Sequence, residues 1–284
     1  MSETITETRT AYLDHAGFRF AVLTLENSGH RPVTLGPASL AGFEAAVHAV
    51  DLSGVDAVAV TGEGPVFCAG ADLKKMKQAA TPEQAEEVAR RGLEALGRLA
   101  ALPVPTFAFV NGVALGGGLE LALHADYRTA ADSVRAIGFP EVRLGLVPGW
   151  GGIMRTAALL GPAQTARLVV TDSLAGKNLS ARAAAELGLV DALLPAAGFL
   201  AASLDFAAGI LSGASAAAAR TGQNREQESS PAVVGSAALE AIRTQLDARL
   251  HGAAPAPYRA LELIAAAAGL PAGFFARDCV RWKA

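Results

Sequence analysis

Short apolar segments alternate with longer helical segments through the first part of the chain, and this alternation constrains the fold more than any other feature. Residues 19–25, 56–61 and 106–110 are apolar runs with the length of a buried strand. Residues 38–50 and the segment that begins at Thr81 are predicted helices. Strands that are separated by helices pair in parallel, with the helices as crossovers. The sequence therefore predicts an α/β fold with a mostly parallel sheet.

The helix that begins at Thr81 has the clearest local signals. Thr81 is a good N-cap, Pro82 fits the first helical position, and Gln84 completes a capping-box pattern. Near the N-terminus, a hairpin is predicted between residues 11–14 and 19–25. Weaker signals after Asn111 predict a helix from the glycine cluster through His124, a strand over Tyr127–Ala131, helices over Pro162–Val170 and Ser180–Leu187, and an extended segment over Leu189–Leu194.

The composition changes near residue 212. Residues 213–236 contain the polar run TGQNREQESSP, which is typical of an exposed loop or linker. Two further helices are predicted beyond it, over Ser236–Leu250 and Pro257–Ala268. We therefore predict a core over 1–212 and a smaller C-terminal helical region over 213–284.

Charge and cysteine content argue against several classes of protein. The 24 Lys and Arg against 27 Asp and Glu give a net charge of −3 with no basic stretch, so no nucleic-acid partner is expected. Cys68 and Cys279 are too few for a disulfide framework and fit free thiols in a reducing compartment. The five histidines show no metal-ligand spacing, so no metal is predicted. Neither a signal peptide nor a membrane span is recognised, which predicts a cytoplasmic protein with no membrane partner.

Three segments rich in small residues follow predicted strands. They are residues 67–75, FCAGADLKK; 111–121, NGVALGGGLEL; and 139–152, FPEVRLGLVPGWGG. Open α/β sheets bind ligands at the carboxyl ends of their strands, and small residues let a ligand approach the backbone closely. Gly116–Gly118 also opens a helix, and the unpaired N–H groups at a helix start can stabilise an oxyanion.

The glycine clusters were also compared with nucleotide-binding loops. A dinucleotide loop needs G-x-G-x-x-G, and the clusters that begin at Gly62 and Gly149 both lack the third glycine. The Gly176-Lys177 pair is followed by Asn178, where a phosphate-binding loop has Ser or Thr. Nucleotide-binding folds are therefore not expected.

Taken together, the three segments resemble the crotonase (enoyl-CoA hydratase/isomerase) superfamily in order and spacing over residues 10–212. The phrases GGGLELALHADYR, PEVRLGLVPGWGG and RPVTLGP are most similar to the hydratase portion of bacterial multifunctional fatty-acid oxidation alpha subunits. This resemblance implies a crotonase-like stacked β-β-α spiral followed by the C-terminal helical region. It also implies a homotrimer or hexamer in which the C-terminal region serves oligomerisation and covers the CoA site.

The resemblance implies a role for each motif. The backbone N–H groups of Ala71 and Gly117 would form an oxyanion hole for a thioester carbonyl. Glu120 and Glu141 match the two acid/base glutamates of the hydratases. The amide of Gly149 matches a position that helps to hold the attacking water.

Binding residues also follow from the resemblance. Ala69, Asp72, Leu73 and Lys74 would contact CoA, and Asp72 is in addition expected to cap the helix that starts at Leu73. Cys68 is expected to be a small packed residue and not a nucleophile. The predicted acyl pocket consists of Trp150, Pro148 and Leu144, and weaker candidates for CoA contact are Phe274, Phe275, Arg281 and Lys283.

The resulting prediction is an enzyme that hydrates 2-enoyl-CoA thioesters to 3-hydroxyacyl-CoA, with no cofactor beyond the CoA of its substrate. The presence of both glutamates favours this reaction within the superfamily. Two alternatives remain at this point. One is a Δ3,Δ2-enoyl-CoA isomerase, which needs the same oxyanion hole and a proton shuttle. The other is a non-catalytic crotonase-fold protein that binds CoA esters or other proteins.

Overall fold

The computed structural model describes residues 5–27, 32–78, 81–214 and 231–269. The larger of its two sheets has six strands, which are β1 (Glu7–His15), β2 (Phe18–Glu26), β3 (Ala57–Gly62), β5 (Thr106–Val110), β7 (Tyr127–Ala131) and β9 (Ala192–Leu194). Their order in the sheet is β1-β2-β3-β5-β7-β9. The β1–β2 pair is an antiparallel hairpin, and all other neighbours are parallel. The predicted hairpin and the predicted parallel sheet are thus confirmed.

A second, smaller sheet lies beside the first. It consists of β4 (Val66–Cys68), β6 (Val113–Leu115) and β8 (Ile137–Gly138), in that order and all parallel. The register of the β4–β6 pair shifts between Val66 and Cys68. Strands of two or three residues carry no readable periodicity, so the residue pattern did not predict this sheet.

Most of the helices lie between strands of the two sheets, and the last three follow β9. Within the described residues they are α1 (Pro37–His48), α2 (Leu73–Met76), α3 (Pro82–Ala100), α4 (Gly117–His124), α5 (Gly152–Ala166), α6 (Ala181–Leu187), α7 (Phe199–Leu211), α8 (Pro231–Leu250) and α9 (Pro255–Ala268). The start of α3 is as predicted, because the Thr81 side chain accepts the N–H of Gln84 at 3.3 Å. Ser180 caps α6 in the same way.

The clearest differences from the predicted helices lie at α5 and α7. The helix predicted over 162–170 begins ten residues earlier, at Gly152, kinks at Gly161 and continues as a π-helical segment over Arg167–Asp172. Gly161 has a φ of 75°, which a glycine adopts without strain and which allows a proline to follow directly. Helix α7 was not predicted at all.

The core lies between the large sheet and the helices. Every residue of β3 and β5 is buried, and Phe107 and Phe109 are among the largest fully buried side chains. The C-terminal helices join the same core, because α8 and α9 both pack against α5 and Ile264 is completely buried. The division of the chain at residue 212 stays a prediction.

Candidate active site

All three strands of the small sheet end at one edge, and the segments that follow them form the candidate site. Residues 69–72 follow β4, residues 116–117 follow β6, and residues 139–141 follow β8. Because the strands are parallel, their carboxyl ends bring these segments together. These are the three motifs that the sequence singled out.

Ala71 is positioned by a short parallel bridge to Leu35. Leu35 donates its N–H to the carbonyl oxygen of Gly70 at 2.8 Å and accepts the N–H of Asp72 at 3.0 Å. In an extended segment, successive residues direct their amides to opposite sides. The N–H of Ala71 therefore points away from Leu35.

Gly117 supplies a second amide. It is the first residue of α4, so its N–H has no acceptor inside the helix. The preceding Gly116, with φ of 52° and ψ of −126°, turns the chain sharply from β6 into α4. A Cβ at Gly117 would lie 3.3 Å from the nitrogen of Ala71 and would collide with the indole of Trp150. The two predicted amides are thus adjacent, and the space around Gly117 accommodates no side chain.

Glu120 lies on α4, one turn after Gly116, and is only 2% exposed. Its Oε1 accepts the backbone N–H of Trp150 at 2.7 Å and that of Gly152 at 2.8 Å. Gly152 begins α5, so the positive end of that helix dipole also faces the carboxylate. These contacts fix one carboxylate oxygen and the orientation of the group.

Glu141 begins a 3₁₀ turn, residues 141–144, directly after Pro140. Its Oε1 lies against Gly116, where a Cβ would come within 2.6 Å. Its Oε2 is fully enclosed and has no hydrogen-bond partner among the described residues. A buried polar atom that is left unpaired in this way is uncommon and is available to a ligand.

The two carboxyl groups affect each other's protonation. Burial raises the pKa of Glu120 to about 7, against the opposing effect of the amides of Gly152 and Trp150, which stabilise its charged form. Burial, and then the charge of Glu120, raise the pKa of Glu141 to about 8. Both shifts favour protonated carboxyl groups near neutral pH, and the charge of Glu120 opposes ionisation of Glu141. A carboxyl pair whose pKa values are raised in this way is suited to acid–base chemistry near neutral pH.

A cleft of about 360 Å³ opens beside Ala71 and Trp150. Its walls come from the start of α1, from α2 and from α3, and they combine apolar residues with charged residues at the rim. The apolar residues that line it include Leu35, Leu40, Ala71, Met76, Val88 and Trp150. A mostly apolar cleft with a few convergent polar groups is typical of a small-molecule site.

Of the four predicted CoA-contact residues, Asp72 lines this cleft, and the other three are its close neighbours in sequence. Asp72 lines it and caps α2, because its Oδ1 accepts the N–H groups of Lys74 at 2.9 Å and Lys75 at 3.4 Å. Leu73 is 43% exposed, and Lys74 is exposed as well. Ala69 is half-buried, and its N–H is donated to the carbonyl oxygen of Val33 at 2.8 Å.

The remaining predicted site residues are less closely grouped. Trp150 lines the cleft and is 4% exposed, while Pro148 is buried outside its lining. Gly149 is exposed, and Leu144 is 47% exposed and also lies outside the cleft. The weaker candidates Phe274, Phe275, Arg281 and Lys283 lie outside the described residues, as does Cys279.

Two further polar groups near the site are structural in character. Cys68 is fully buried, and burial raises the pKa of its thiol to about 12, which fits the packed residue that was predicted. His124 is 2% exposed, its Nδ1 lies 2.8 Å from the carbonyl oxygen of Glu120, and burial lowers its pKa well below the ordinary value. The part of the chain that the structure describes contains no group of three His, Cys, Asp or Glu side chains suited to a metal ion.

The sequence reasoning missed some residues of the site. Gly152 and Trp150 belong to the third predicted motif, but the sequence does not show that their backbone N–H groups anchor Glu120. Val88 and Arg91 line the cleft from α3. The apolar stripe of this helix includes Val88, but such a stripe by itself predicts a core-facing side and not a cleft wall.

In the described ranges, none of the helices combines the length and apolar character needed to cross a membrane.

Two curated proteins are similar to part of this chain. "Enoyl-CoA isomerase/hydratase fer4" of Mycosarcoma maydis is 46% identical over 134 residues, which are 46% of this chain and 46% of that protein. "Fatty acid oxidation complex subunit alpha" of Vibrio campbellii is 43% identical over 147 residues, which are 51% of this chain and 20% of that protein. The matched segments thus span half or less of these curated relatives.

Structural and family-level similarity extend over more of the chain. The crystal structure of an enoyl-CoA hydratase from Bacillus anthracis superposes with a TM-score of 0.62 at 28% identity and covers 89% of each chain. The described fold is therefore the crotonase fold that the sequence predicted. The family model "Enoyl-CoA hydratase/isomerase" matches residues 24–246. The chain belongs to the enoyl-CoA hydratase/isomerase family.

Proposed function

We propose that this chain hydrates 2-enoyl-CoA thioesters to 3-hydroxyacyl-CoA. One observation carries the proposal: two enclosed glutamates, whose pKa values are raised by burial, lie beside two adjacent backbone amides. The reaction needs a base for water, an acid for carbon and donors for an enolate oxygen, and this site offers all three. The relatives described above, which include hydratases, add support.

The amides of Ala71 and Gly117 would bind the thioester carbonyl. As water adds at C3, charge develops on this oxygen, and the two N–H groups stabilise it without moving. Loss of one such donor typically costs on the order of 10²–10³ in rate. Because the donors are backbone groups, Ala and Gly suffice at these positions.

The two glutamates would divide the proton transfers. Glu120 accepts two backbone N–H groups that stabilise its charged form, and it would accept a proton from water while the oxygen bonds to C3. The electron pair of the C2–C3 bond moves toward the thioester, and C2 takes its proton from Glu141, whose pKa is raised by burial and by the charge of Glu120. Transfer of a proton from Glu120 to Glu141 restores the starting state.

The arrangement favours hydration over isomerisation. An isomerase moves one proton between C4 and C2, for which one carboxyl group suffices. Here Glu120 is held by two N–H groups at 2.7 and 2.8 Å, so the structure orients a second carboxylate that isomerisation does not need. A non-catalytic binder would need neither carboxyl group.

The decisive experiment follows the absorbance of the conjugated thioester when the purified protein meets crotonyl-CoA. We expect rapid, saturable loss that depends on enzyme concentration, and product analysis should give 3-hydroxybutyryl-CoA. Conversion of 3-butenoyl-CoA to crotonyl-CoA without hydration would assign the site to an isomerase. Measurable binding of CoA esters with neither reaction would assign it to a binder.

We also propose that CoA is held beside the cleft by Ala69, Asp72, Leu73 and Lys74. No cofactor would be needed beyond the CoA of the substrate. The chain would form a homotrimer or hexamer. Lys74 is the exposed cation of this set and would meet the CoA phosphates. The Lys74→Ala variant should raise KM with kcat unchanged. Light scattering gives the oligomer number.

A further inference from the structure

The indole of Trp150 is held between two glycines that belong to different helices. A Cβ at Gly92 of α3 would collide with Nε1, Cδ1 and Cε2 of the ring, and a Cβ at Gly117 would meet its Cζ3 and Cε3. The five-membered edge of the indole therefore fills a notch in α3, and the six-membered edge lies on the helix start that carries the second amide. The Nε1–H also points to the carbonyl oxygen of Val88, at 3.4 Å.

The same residue contacts the catalytic groups by two routes. Its backbone N–H donates to Oε1 of Glu120, and its ring lines the cleft together with Ala71. The ring thus lies against Gly117, which carries one amide of the pair, and Trp150 lines the cleft beside Ala71, which carries the other. Glu141 lies against Gly116 and the indole lies against Gly117, so both groups border the space where C2 and C3 of an enoyl chain would lie.

We propose that Trp150 and Gly92 together set the width of the cleft beside the amide pair and thereby select 2-enoyl chains that are unbranched at C3. The inference rests on the proposed function and makes it more specific. Trp150 acts here as a specificity-determining residue, and Gly92 acts through it.

The physical reason is close packing. The ring cannot withdraw from the reacting carbons, because Gly92 already gives it all the room that α3 can offer. It cannot move the other way without pressing on Gly117. Packed interiors yield little, so an added methyl group at C3 would have to displace the ring or the thioester. One methyl group more or less in such a pocket changes kcat/KM by about 10–200-fold.

The test compares kcat/KM for crotonyl-CoA and 3-methylcrotonyl-CoA in the wild type and in variants. We expect the wild type to prefer crotonyl-CoA, and we expect Trp150→Ala to raise the branched-to-linear ratio by about 10-fold or more. This ratio is measured on one enzyme preparation, so misfolded protein cancels out. An unchanged ratio in Trp150→Ala would overturn the proposal.

Gly92→Ala provides the second arm, and Gly97→Ala is its matched control. Both glycines lie on α3, but a Cβ at Gly97 meets nothing within 4 Å. Gly92→Ala should lower kcat/KM for both substrates, with the larger loss for the branched one, whereas Gly97→Ala should change neither. Equal kcat/KM values in the two variants would show that a Cβ at position 92 does not alter the site through the indole.

The double variant Gly92→Ala/Trp150→Ala tests whether Gly92 acts through the ring. Without the indole, the added methyl group at position 92 has space, so the loss caused by Gly92→Ala should shrink to less than about twofold. A loss of the same size in both backgrounds would show that Gly92 acts on something other than Trp150.

A binding experiment separates this proposal from the proposed function. Calorimetry with butyryl-CoA and 3-methylbutyryl-CoA needs no catalysis. If the wild type hydrates neither substrate but Trp150→Ala still shifts the ratio of the two Kd values toward the branched ligand, the hydratase assignment fails and the width proposal holds. If hydration occurs but Trp150→Ala changes neither the branched-to-linear ratio of kcat/KM nor that of Kd, only the width proposal fails.

Discussion

The two sheets of this protein differ in what happens at the ends of their strands. In the large sheet, polar groups at the strand ends bond to each other: Asn111, after β5, accepts the N–H of Gly62 at 2.9 Å and donates to the carbonyl oxygen of Gly64 at 2.7 Å. Asp191 likewise accepts the N–H of Arg128 at 2.7 Å. In the small sheet, the strand ends lead to the amides of Ala71 and Gly117 and to a carboxyl oxygen of Glu141 that has no hydrogen-bond partner among the described residues.

The difference indicates that the large sheet provides stability and the small sheet provides the groups for chemistry. The large sheet buries its central strands β3 and β5 completely, and the polar groups named above are paired, as a stable core requires. The small sheet has strands of two or three residues and leaves donors and a carboxyl group ready for a ligand. Such groups are costly to bury unpaired, so the large sheet and its helices must supply the stability that holds them in place.

The largest contrast is expected between two glutamates that follow strands of the two sheets. Glu141→Gln, after β8, should lower kcat by about 10²–10⁴ while thioester binding stays nearly constant, because it removes a transferable proton. Glu63→Gln, at the exposed turn after β3, should leave kcat unchanged. Steady-state kinetics and calorimetry check both, and a near-normal rate in Glu141→Gln would break the assignment of chemistry to the small sheet.

A core substitution in the large sheet should lower stability and leave the chemistry unchanged. Phe109→Ala removes a fully buried ring from β5 and should lower the free energy of unfolding by about 3–5 kcal/mol. The folded fraction should keep the pH–rate profile of the wild type. Denaturant titration measures the free energy of unfolding. A shifted pH–rate profile in Phe109→Ala would mean that the core of the large sheet also affects the chemistry at the small sheet.

The pH dependence of stability should reveal the small-sheet carboxyl groups. Glu141 has an ordinary pKa of 4.5 and a folded pKa of about 8, so its contribution to stability is fully present below pH 4.5 and is lost as the pH rises through about 8. Glutamine has no such dependence. Between about pH 5 and about pH 9, the stability of Glu141→Gln relative to the wild type should therefore rise by more than about 1 kcal/mol, the worth of one pKa unit.

That comparison needs its own control, for which Glu63→Gln is suitable because this side chain is exposed. Its stability relative to the wild type should stay flat over the same range. A flat line for Glu141→Gln as well would show that the buried carboxyl does not carry its proton to higher pH.

The smallest effects are expected at two helix caps. Thr81→Ala, at the start of α3, and Asp72→Ala, at the start of α2, should each cost about 1 kcal/mol of stability. Only Asp72 lines the cleft, so only its replacement should also raise KM. Equal KM values in the two variants would argue that α2 does not position the substrate.

Much of the fold could be predicted from sequence because its signals are local. The strands β5 and β7 have the predicted bounds, and the caps at Thr81 and Asp72 are as expected, since each depends on a few adjacent residues. The early part of α5 was missed, because a glycine-rich start gives no apolar periodicity. The residue pattern does not predict the small sheet, because its strands have only two or three residues.

The sequence by itself determined which groups this protein can use: two amides in glycine-rich motifs, two glutamates and a tryptophan. Only the tertiary structure decided how they act. The enclosure that raises the pKa values of Glu120 and Glu141 comes from α4, α5 and the turn after β8, which are far apart in sequence. The notch at Gly92 likewise exists only because α3 packs against the indole of Trp150. Burial and close packing are properties of the assembled chain, so no local segment encodes them.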